Sequence, residues 1–306
     1  MYTFTLIKKS LNNEKIKWYN AITYILSTIY AANQEQMAAI LFGIFTIYII
    51  YLIATKKIKT TLNKTTVLTY ILIIASLIFI LVCPGNAERK SLETSTWFPE
   101  YADYGIGSKV ILGITSMMQY LIIYGRMVFI LFTAVMAYYI IKKYENPLIK
   151  VIGLIPFVGS IFYSVFGDFV GNILPSLSSL MSSYSERKLI ITSENIFDIS
   201  YWGPMIIYIA ILGSILINIF LIFGNNAKGK SIAIIYLAGL ASRFILGFSP
   251  TVFASGERTS MFLYFTFVII TILIFEKILE DNKKVPNIVV FYIILSCLAL
   301  LNNFSM

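Results

Sequence analysis

The sequence predicts an all-α protein, a polytopic bundle of transmembrane helices. Of its 306 residues 58% are hydrophobic, the mean hydropathy is +0.81, and only 13% are charged. Soluble domains carry roughly 25% charged residues, so this chain lacks the polar side chains that would cover a soluble surface. Its apolar runs are continuous and do not alternate with polar residues as the strands of a membrane barrel do. These observations exclude a soluble enzyme and favour helices that cross a bilayer.

Nine segments of the chain are apolar and long enough to be read as membrane spans. A helix needs about 20 mostly apolar residues to cross the bilayer, and lipid offers the backbone no hydrogen-bond partner. Asn20 weakens the first segment, and the polar turn at 33–36 separates it from the second. The predicted spans are 16–32, 37–54, 65–83, 126–142, 149–166, 203–223, 231–248, 260–277 and 286–302.

Residues 105–125 are a further apolar stretch, interrupted by Lys109, Gln119 and several glycines. Cytoplasmic loops of membrane proteins carry an excess of Lys and Arg. With the N-terminus inside, nine spans place 16 of the 19 Lys on the cytoplasmic side. A tenth span at 105–125 would move every later Lys cluster outside. We therefore predict that this stretch is an interfacial or re-entrant helix on the outer face.

This topology predicts a multi-pass protein of a bacterial cell membrane with a cytoplasmic N-terminus and an outer C-terminus. We expect residues 1–306 to form a single integral-membrane domain without a secretory signal peptide. The apolar residues that precede Lys8 and Lys9 look like the inner end of another span. The chain is therefore expected either to be the C-terminal part of a longer family architecture or to begin with a short interfacial segment.

The absence of His and the small number of Cys limit the catalytic chemistry available to this chain. The sequence has no His and two Cys, Cys83 and Cys297. Imidazole catalysis is excluded, and acid–base chemistry has to use Asp, Glu, Lys or Tyr. A disulfide framework is not expected. The net charge of +9 does not indicate nucleic-acid binding, because most of the lysines lie where the membrane topology requires them.

The arginines do not follow the lysines. In the predicted topology all five fall on the outer half, although the positive-inside bias would place Arg inward as strongly as Lys. Arg is preferred where a planar fork holds a phosphate or a carboxylate. Arg243 lies within the seventh span, and an ionisable residue inside the membrane indicates a functional site by default; the alternative is that it reaches the headgroups or pairs with an outer acid. The five are Arg89, Arg126, Arg187, Arg243 and Arg258.

Two short motifs lie where predicted spans meet the outer face. In the first, residues 83–89, Pro-Gly is expected to end the helix and set a turn, which lets Asn86 and Arg89 act near the bilayer surface beside Glu88. The second, residues 248–259, joins the seventh and eighth spans. Its small residues allow a ligand to approach the backbone closely, and Glu257 and Arg258 stand at its end.

Together these motifs resemble an uncharacterised family of bacterial polytopic proteins that is similar to integral-membrane glycosyltransferases of the GT-C type. The resemblance rests on Pro-Gly-Asn-x-x-Arg at 84–89, on Ser-Pro and Ser-Gly-x-Arg-Thr within 249–259, and on Asn-Gln-Glu-Gln at 33–36. It implies transfer of a sugar from a polyprenyl-phosphate donor on the outer face, with an acid of the first outer loop as base or metal ligand. This chain departs from that pattern, because its first outer turn offers only Glu35.

The chemistry needs a carboxylate base and a cation for the leaving phosphate. The catalytic candidates are Glu35, Glu88 and Asp168, the last directly after the fifth span. Asn86, Arg89, Arg243, Glu257 and Arg258 are the candidate substrate ligands, and Arg89, Arg243 and Arg258 are expected to converge on one outward cavity. A divalent metal is compatible with this chemistry, although no ligand spacing specifies one.

The predicted function is therefore glycosyl transfer in the assembly of a cell-envelope glycan or glycolipid, with the bilayer and a polyprenyl-phosphate-linked sugar as partners. A transporter or flippase of lipid-linked saccharides is the second possibility, but transporters often carry internal repeats and midplane charges, and neither is found in this sequence. A polymerase of surface polysaccharide and a non-catalytic subunit that pairs with a second membrane protein are also left open.

Overall fold

In a computed structural model of the chain, the described residues are 2–11, 14–124, 126–164, 191–192 and 194–281, and their regular elements are all helical. The all-α prediction is confirmed for this part of the chain. The α-helices are α1 (Tyr2–Leu11), α2 (Trp18–Ala32), α3 (Glu35–Ala54), α4 (Ile58–Thr61), α5 (Lys64–Val82), α6 (Pro84–Trp97), α7 (Ile106–Gln119), α8 (Arg126–Lys143), α9 (Pro147–Ser164), α10 (Ile199–Phe223), α11 (Ala227–Phe244) and α12 (Met261–Asp281).

Five helical stretches in the described residues are long and apolar enough to cross a membrane. They match the predicted spans 37–54, 65–83, 203–223, 231–248 and 260–277 within a few residues. Local chemistry fixes two of their starts, because Asn63 and Asn226 accept hydrogen bonds from the backbone amides of Thr66 and Gly229 and so cap α5 and α11. The five stretches are Glu35–Ala54, Lys64–Val82, Tyr201–Phe223, Ala227–Phe248 and Glu257–Asp281.

Of the other four predicted spans, three do not meet this standard in the described residues and one lies outside them. The first corresponds to α2, which has only 15 residues. The span at 126–142 corresponds to α8, which forms with the preceding helix a pair, Ile106–Ile122 and Met127–Lys143, bent by 80° that could count as a sixth crossing. The span at 149–166 contains only a shorter apolar helix, Pro147–Phe162. The ninth, 286–302, lies outside the described residues.

The chain divides into two compact units. The first comprises Met1–Tyr104 and Phe248–Ala254. Its helices α2, α3 and α5 pack on one another and on α1. Tyr70 of α5 stacks between Phe42 and Phe45 of α3, and the Tyr70 and Thr46 hydroxyls lie 2.9 Å apart. Aromatic stacking and this hydroxyl contact thus join two candidate spans.

The junction of α5 and α6 differs from the expected turn. The span does end at Val82, but Cys83 has extended backbone angles and Pro84 is the first residue of a new helix. Proline suits the first helical position because its missing N–H would have no partner inside the helix there. The Ala, Glu, Arg, Lys and Leu that follow are good helix formers. The predicted Pro-Gly turn was therefore wrong beyond Cys83.

The second unit comprises Gly105–Gly247 and Ser255–Met306. Within its described residues α8 packs on α9 and α12, and α10 packs on α9 and α11. Phe267 of α12 lies at the centre, with its ring stacked on Phe132 at 4.8 Å between centroids and tilted against Phe129 and Tyr236. Three helices of this unit, α8, α11 and α12, therefore meet around one aromatic side chain.

Helix α7 packs against the C-terminal end of α11 in the second unit. A Cβ atom on Gly113 would lie 2.5 Å from the carbonyl oxygen of Phe244, and one on Gly247 would lie 2.4 Å from that of Lys109. Glycine is therefore required where these backbones meet. The second half of α7, including Leu112, Ser116 and Gln119, is buried in this unit.

Candidate functional site

The first unit brings two predicted site residues together. Glu35 is the first residue of α3, and the Arg89 guanidinium on α6 donates a hydrogen bond to its carboxylate. Glu93, one helical turn after Arg89, adds a second carboxylate oxygen at 3.7 Å from its Nε. Glu35 and Arg89 are 51% and 54% exposed, respectively. The pair therefore joins the start of α3 to α6 at a solvated surface, and Glu35 is held by a cation.

Asn86 and Glu88 occupy the first turns of α6. The Asn86 amide donates to the carbonyl oxygen of Ile80 at 2.9 Å, which satisfies a carbonyl of the last turn of α5. Glu88 is exposed. Asn86 thus has an architectural role at the helix junction, and its predicted contact with a substrate stays a prediction.

An aromatic cluster follows α6 in the first unit. Phe98 and Tyr101 are buried, and the Phe98 ring contacts those of Tyr104 and Phe253 at 5.5 and 5.8 Å between centroids. Burial raises the pKa of Tyr101 to about 12. These rings pack on one another and do not form an open aromatic surface. Trp97 differs, since it is 63% exposed.

Arg243 is the most deeply buried charge among the described residues of the second unit. It is 0% exposed near the C-terminus of α11. Its guanidinium carbon lies 3.6 Å from the centre of the Tyr120 ring, and its Nη1 donates to the Thr259 hydroxyl at 2.6 Å. A desolvated cation over an aromatic face is stabilised by about 2 kcal/mol or more. As predicted, this Arg lies within a helical stretch long and apolar enough to cross a membrane, Ala227–Phe248, while its function stays a prediction.

Thr259 is hydrogen-bonded both to Arg243 and to Gly256, which lies between the two candidate spans. Its hydroxyl donates to the carbonyl oxygen of Gly256 at 2.9 Å while it accepts from Arg243. Gly256 has φ 62° and ψ −156°, a backbone region that is essentially restricted to glycine. One hydrogen-bond chain therefore runs from a buried guanidinium to a backbone carbonyl in a turn whose conformation requires glycine.

Glu257 and Arg258 lie between these two anchored residues, and both are exposed. The Nε of Arg258 donates to the carbonyl oxygen of Ser255 at 3.1 Å. Among the described residues its two terminal nitrogens make no hydrogen bond or ion pair. An Arg held through Nε keeps the pair of terminal donors that binds a phosphate or a carboxylate in bidentate fashion.

The remaining site predictions fall outside these arrangements. Asp168 and Arg187 lie outside the described residues. Arg89 belongs to the first unit, and Arg243 and Arg258 belong to the second, so the expected convergence of all three stays a prediction. Within the second unit, Arg243 and Arg258 are connected through Thr259.

Sequence reasoning missed three side chains. Glu93 could have been found from its spacing of four residues from Arg89. Thr259 is part of the motif at 248–259, but the sequence does not indicate which group its hydroxyl bonds. Tyr120 lies in the stretch expected to cover the outer face, and nothing in its local pattern indicates that it stacks on a residue of α11.

The described part of the chain contains no group of three or more Cys, Asp or Glu side chains placed to hold a metal ion. Comparison of the chain with models of protein families, with curated proteins and with solved structures found no match in any of the three.

Proposed function

We propose that this chain is a multi-pass glycosyltransferase-like protein of cell-envelope glycan or glycolipid assembly, which takes its sugar from a polyprenyl-phosphate donor. The helical fold with five candidate spans supports a membrane location. The specific activity is supported by the motif resemblance and by the chemistry of the 255–260 loop. Nine spans with a cytoplasmic N-terminus, and an outer position for this loop, are part of the proposal.

The exposed fork of Arg258 is the observation that carries the proposal. Residues 257–260 begin the candidate span Glu257–Asp281, and the proposal places them where that span leaves the hydrocarbon. A lipid-linked phosphate is presented at that level of a bilayer. A guanidinium there can hold the phosphate in the donor and stabilise the charge that grows on it as the sugar leaves.

The proposed reaction is displacement at the sugar. A hydroxyl of the acceptor attacks the anomeric carbon, the bond from that carbon to the phosphate oxygen breaks, and polyprenyl phosphate leaves with the electron pair. The hydroxyl proton passes to a carboxylate. Glu257 is the acid of this loop; Glu35, Glu88 and Asp168 are the acids proposed elsewhere in the chain. Glu35 is the weaker candidate base of the first unit, because Arg89 already holds its carboxylate.

Donor turnover by the full chain in nanodiscs tests this function. A panel of farnesyl-phosphate-linked hexoses and pentoses would serve as donors, with a lipid extract of the producing cells as acceptor. We expect protein-dependent release of farnesyl phosphate that Arg258→Ala and Glu257→Gln reduce at least tenfold. Glu280→Gln is the matched control, since Glu280 lies at the opposite end of α12 and pairs with Lys277.

Two outcomes would overturn the proposal. One is the absence of protein-dependent release with every donor and extract. The other is movement of intact donor across the bilayer of proteoliposomes without release of farnesyl phosphate, which would identify a flippase instead.

A further inference from the structure

We propose that residues 255–260 form a preorganised phosphate-binding loop, in which Arg258 binds the anion and the chain from Arg243 through Thr259 to Gly256 positions it. The inference deepens the proposed function, since it names the binding residue and the positioning residues of the donor phosphate. It concerns only the second unit, where all these residues lie.

The first step is the anchoring of both ends of the segment that carries Arg258. Thr259, directly after it, accepts the bond from the buried Arg243 at 2.6 Å. Gly256, two residues before it, receives the Thr259 hydroxyl at 2.9 Å on its carbonyl oxygen. The Arg243 side chain is stacked on Tyr120 inside the unit. Because Arg243 is part of the packed core, its hydrogen bond to Thr259 fixes the loop relative to that core.

The second step is the orientation of the guanidinium itself. The Nε of Arg258 is bonded to the carbonyl oxygen of Ser255 at 3.1 Å, so the plane of the fork is set by the backbone of the same loop. Rigid donors lose less freedom when they bind, and preorganisation improves affinity for that reason. Lysine has neither the Nε–H nor the fork, so Arg258→Lys is expected to lose the orientation as well as one donor.

The third step is the backbone of Gly256. Its φ of 62° and ψ of −156° turn the chain sharply, and no atom lies within 4 Å of where its Cβ would be. Space does not require glycine here; the backbone conformation does. Glycine adopts this conformation without steric cost, whereas a residue with a Cβ would be strained; glycine therefore allows the turn that presents the exposed Glu257 and Arg258.

Binding of farnesyl phosphate to the full chain in phosphatidylcholine nanodiscs tests the inference, with farnesol as the uncharged probe. We expect wild type to bind farnesyl phosphate at least tenfold more tightly than farnesol. Arg258→Ala should lose about tenfold in affinity, as expected for a charged hydrogen-bond donor. Thr259→Val, which removes only the hydroxyl, should lose about fivefold in affinity and should also unfold at a lower temperature, because the buried Arg243 Nη1 loses this acceptor; Thr259→Ser should retain both binding and stability.

Thr271→Val is the matched control for the hydroxyl. Thr271 is buried on α12, and its hydroxyl donates to the carbonyl oxygen of Phe267 in its own helix at 2.7 Å. This variant should bind farnesyl phosphate as wild type does. The decisive comparison is the double variant: once Arg258 is replaced by Ala, Thr259→Val should have no further effect on affinity, because Thr259 acts only through Arg258.

The outcomes separate this inference from the proposed function. Binding that depends on Arg258 and Thr259, without any donor turnover, would support the loop and overturn the enzyme. Equal affinity of wild type for farnesyl phosphate and farnesol would overturn the phosphate site. Loss of binding in Arg258→Ala with full binding in Thr259→Val, or additive effects in the double variant, would overturn the positioning role.

Discussion

The Arg243 guanidinium stacks on the face of Tyr120 with 3.6 Å between its central carbon and the ring centre. The two residues are far apart in sequence, one in α11 and the other just after α7. Their contact lies beside the close approach of Gly113 to Phe244, so the tight backbone crossing and the stacked pair belong to one packing arrangement. A buried cation is thus held by a ring face and a hydroxyl, and the stability of this arrangement depends on the shape of the guanidinium.

We expect Arg243→Lys to be less stable than Arg243→Met by about 1–3 kcal/mol, because lysine keeps the desolvation cost of the charge without the planar stack or the fork. Methionine removes the charge and fills similar volume. Urea unfolding of the detergent-purified variants measures the difference, with the exposed Arg258→Ala as a control that should stay within about 0.5 kcal/mol of wild type. A Lys variant as stable as wild type would contradict the stacking argument.

Gly256→Ala should destabilise the second unit by about 1–3 kcal/mol through backbone strain, since φ is 62° there. Gly213→Ala is the control. Its Cβ would also meet open space, but Gly213 lies in the middle of α10 in the same unit, where alanine is favoured over glycine by about 0.5–1 kcal/mol. Opposite signs of the two stability changes are expected in the same unfolding assay. A neutral Gly256→Ala variant would show that the turn does not require glycine.

Gly113→Ala should separate α7 from α11 and cost about 1–3 kcal/mol, typical of overpacking. The new Cβ would lie 2.5 Å from the Phe244 carbonyl oxygen, a backbone atom that cannot rotate away. Gly43→Ala on α3 is the matched control, because no atom lies within 4 Å of its Cβ position. If both variants unfold at the temperature of wild type, α7 and α11 are not held by this contact.

How much the sequence could predict differs between the helices and the site. Hydropathy located five candidate spans within a few residues, because a continuous apolar run of span length has few alternatives. It did not predict the bend of 80° between Ile106–Ile122 and Met127–Lys143, nor the shorter helix Pro147–Phe162 at the predicted span 149–166. Bends depend on what packs against the helix, and composition does not record that.

The site was predicted in outline only. Charge placement singled out Arg243, Arg258, Arg89 and Glu35. The structure pairs the last two and bonds Arg243 to Thr259, the residue that follows Arg258. The roles of Asn86 and Thr259 depend on hydrogen bonds to backbone atoms, which leave no pattern along the chain. The stack of Arg243 on Tyr120 is a long-range contact, so a single sequence carries no signal of it.

The lysine distribution makes the topology testable. Because 16 of the 19 Lys lie on one face in the nine-span arrangement, we expect cysteines placed in 55–64 to be closed to a membrane-impermeant maleimide in intact cells. Cysteines in 167–202 should react. Cys83 and Cys297 would first be replaced by serine to remove the background. Labelling of 55–64 from outside would refute the proposed orientation.

The ion pair of Arg89 and Glu35 should contribute little to stability. Both side chains are about half exposed, and solvated pairs of this kind typically contribute about 0.2–1 kcal/mol, less at high salt. A double-mutant cycle of Arg89→Ala and Glu35→Ala, followed by urea unfolding at low and high salt, measures the coupling. A coupling above about 2 kcal/mol would contradict this solvated description.

With a small coupling, any loss of donor turnover in Arg89→Ala reports on the substrate and not on folding, because the first unit keeps its packed helices. A charge exchange, Arg89→Glu with Glu35→Arg, tests whether Arg89 only pairs with Glu35 or binds the donor phosphate. If Arg89 only pairs with Glu35, the exchanged variant should keep turnover. If Arg89 binds the phosphate, position 89 requires Arg and the exchanged variant should lose turnover.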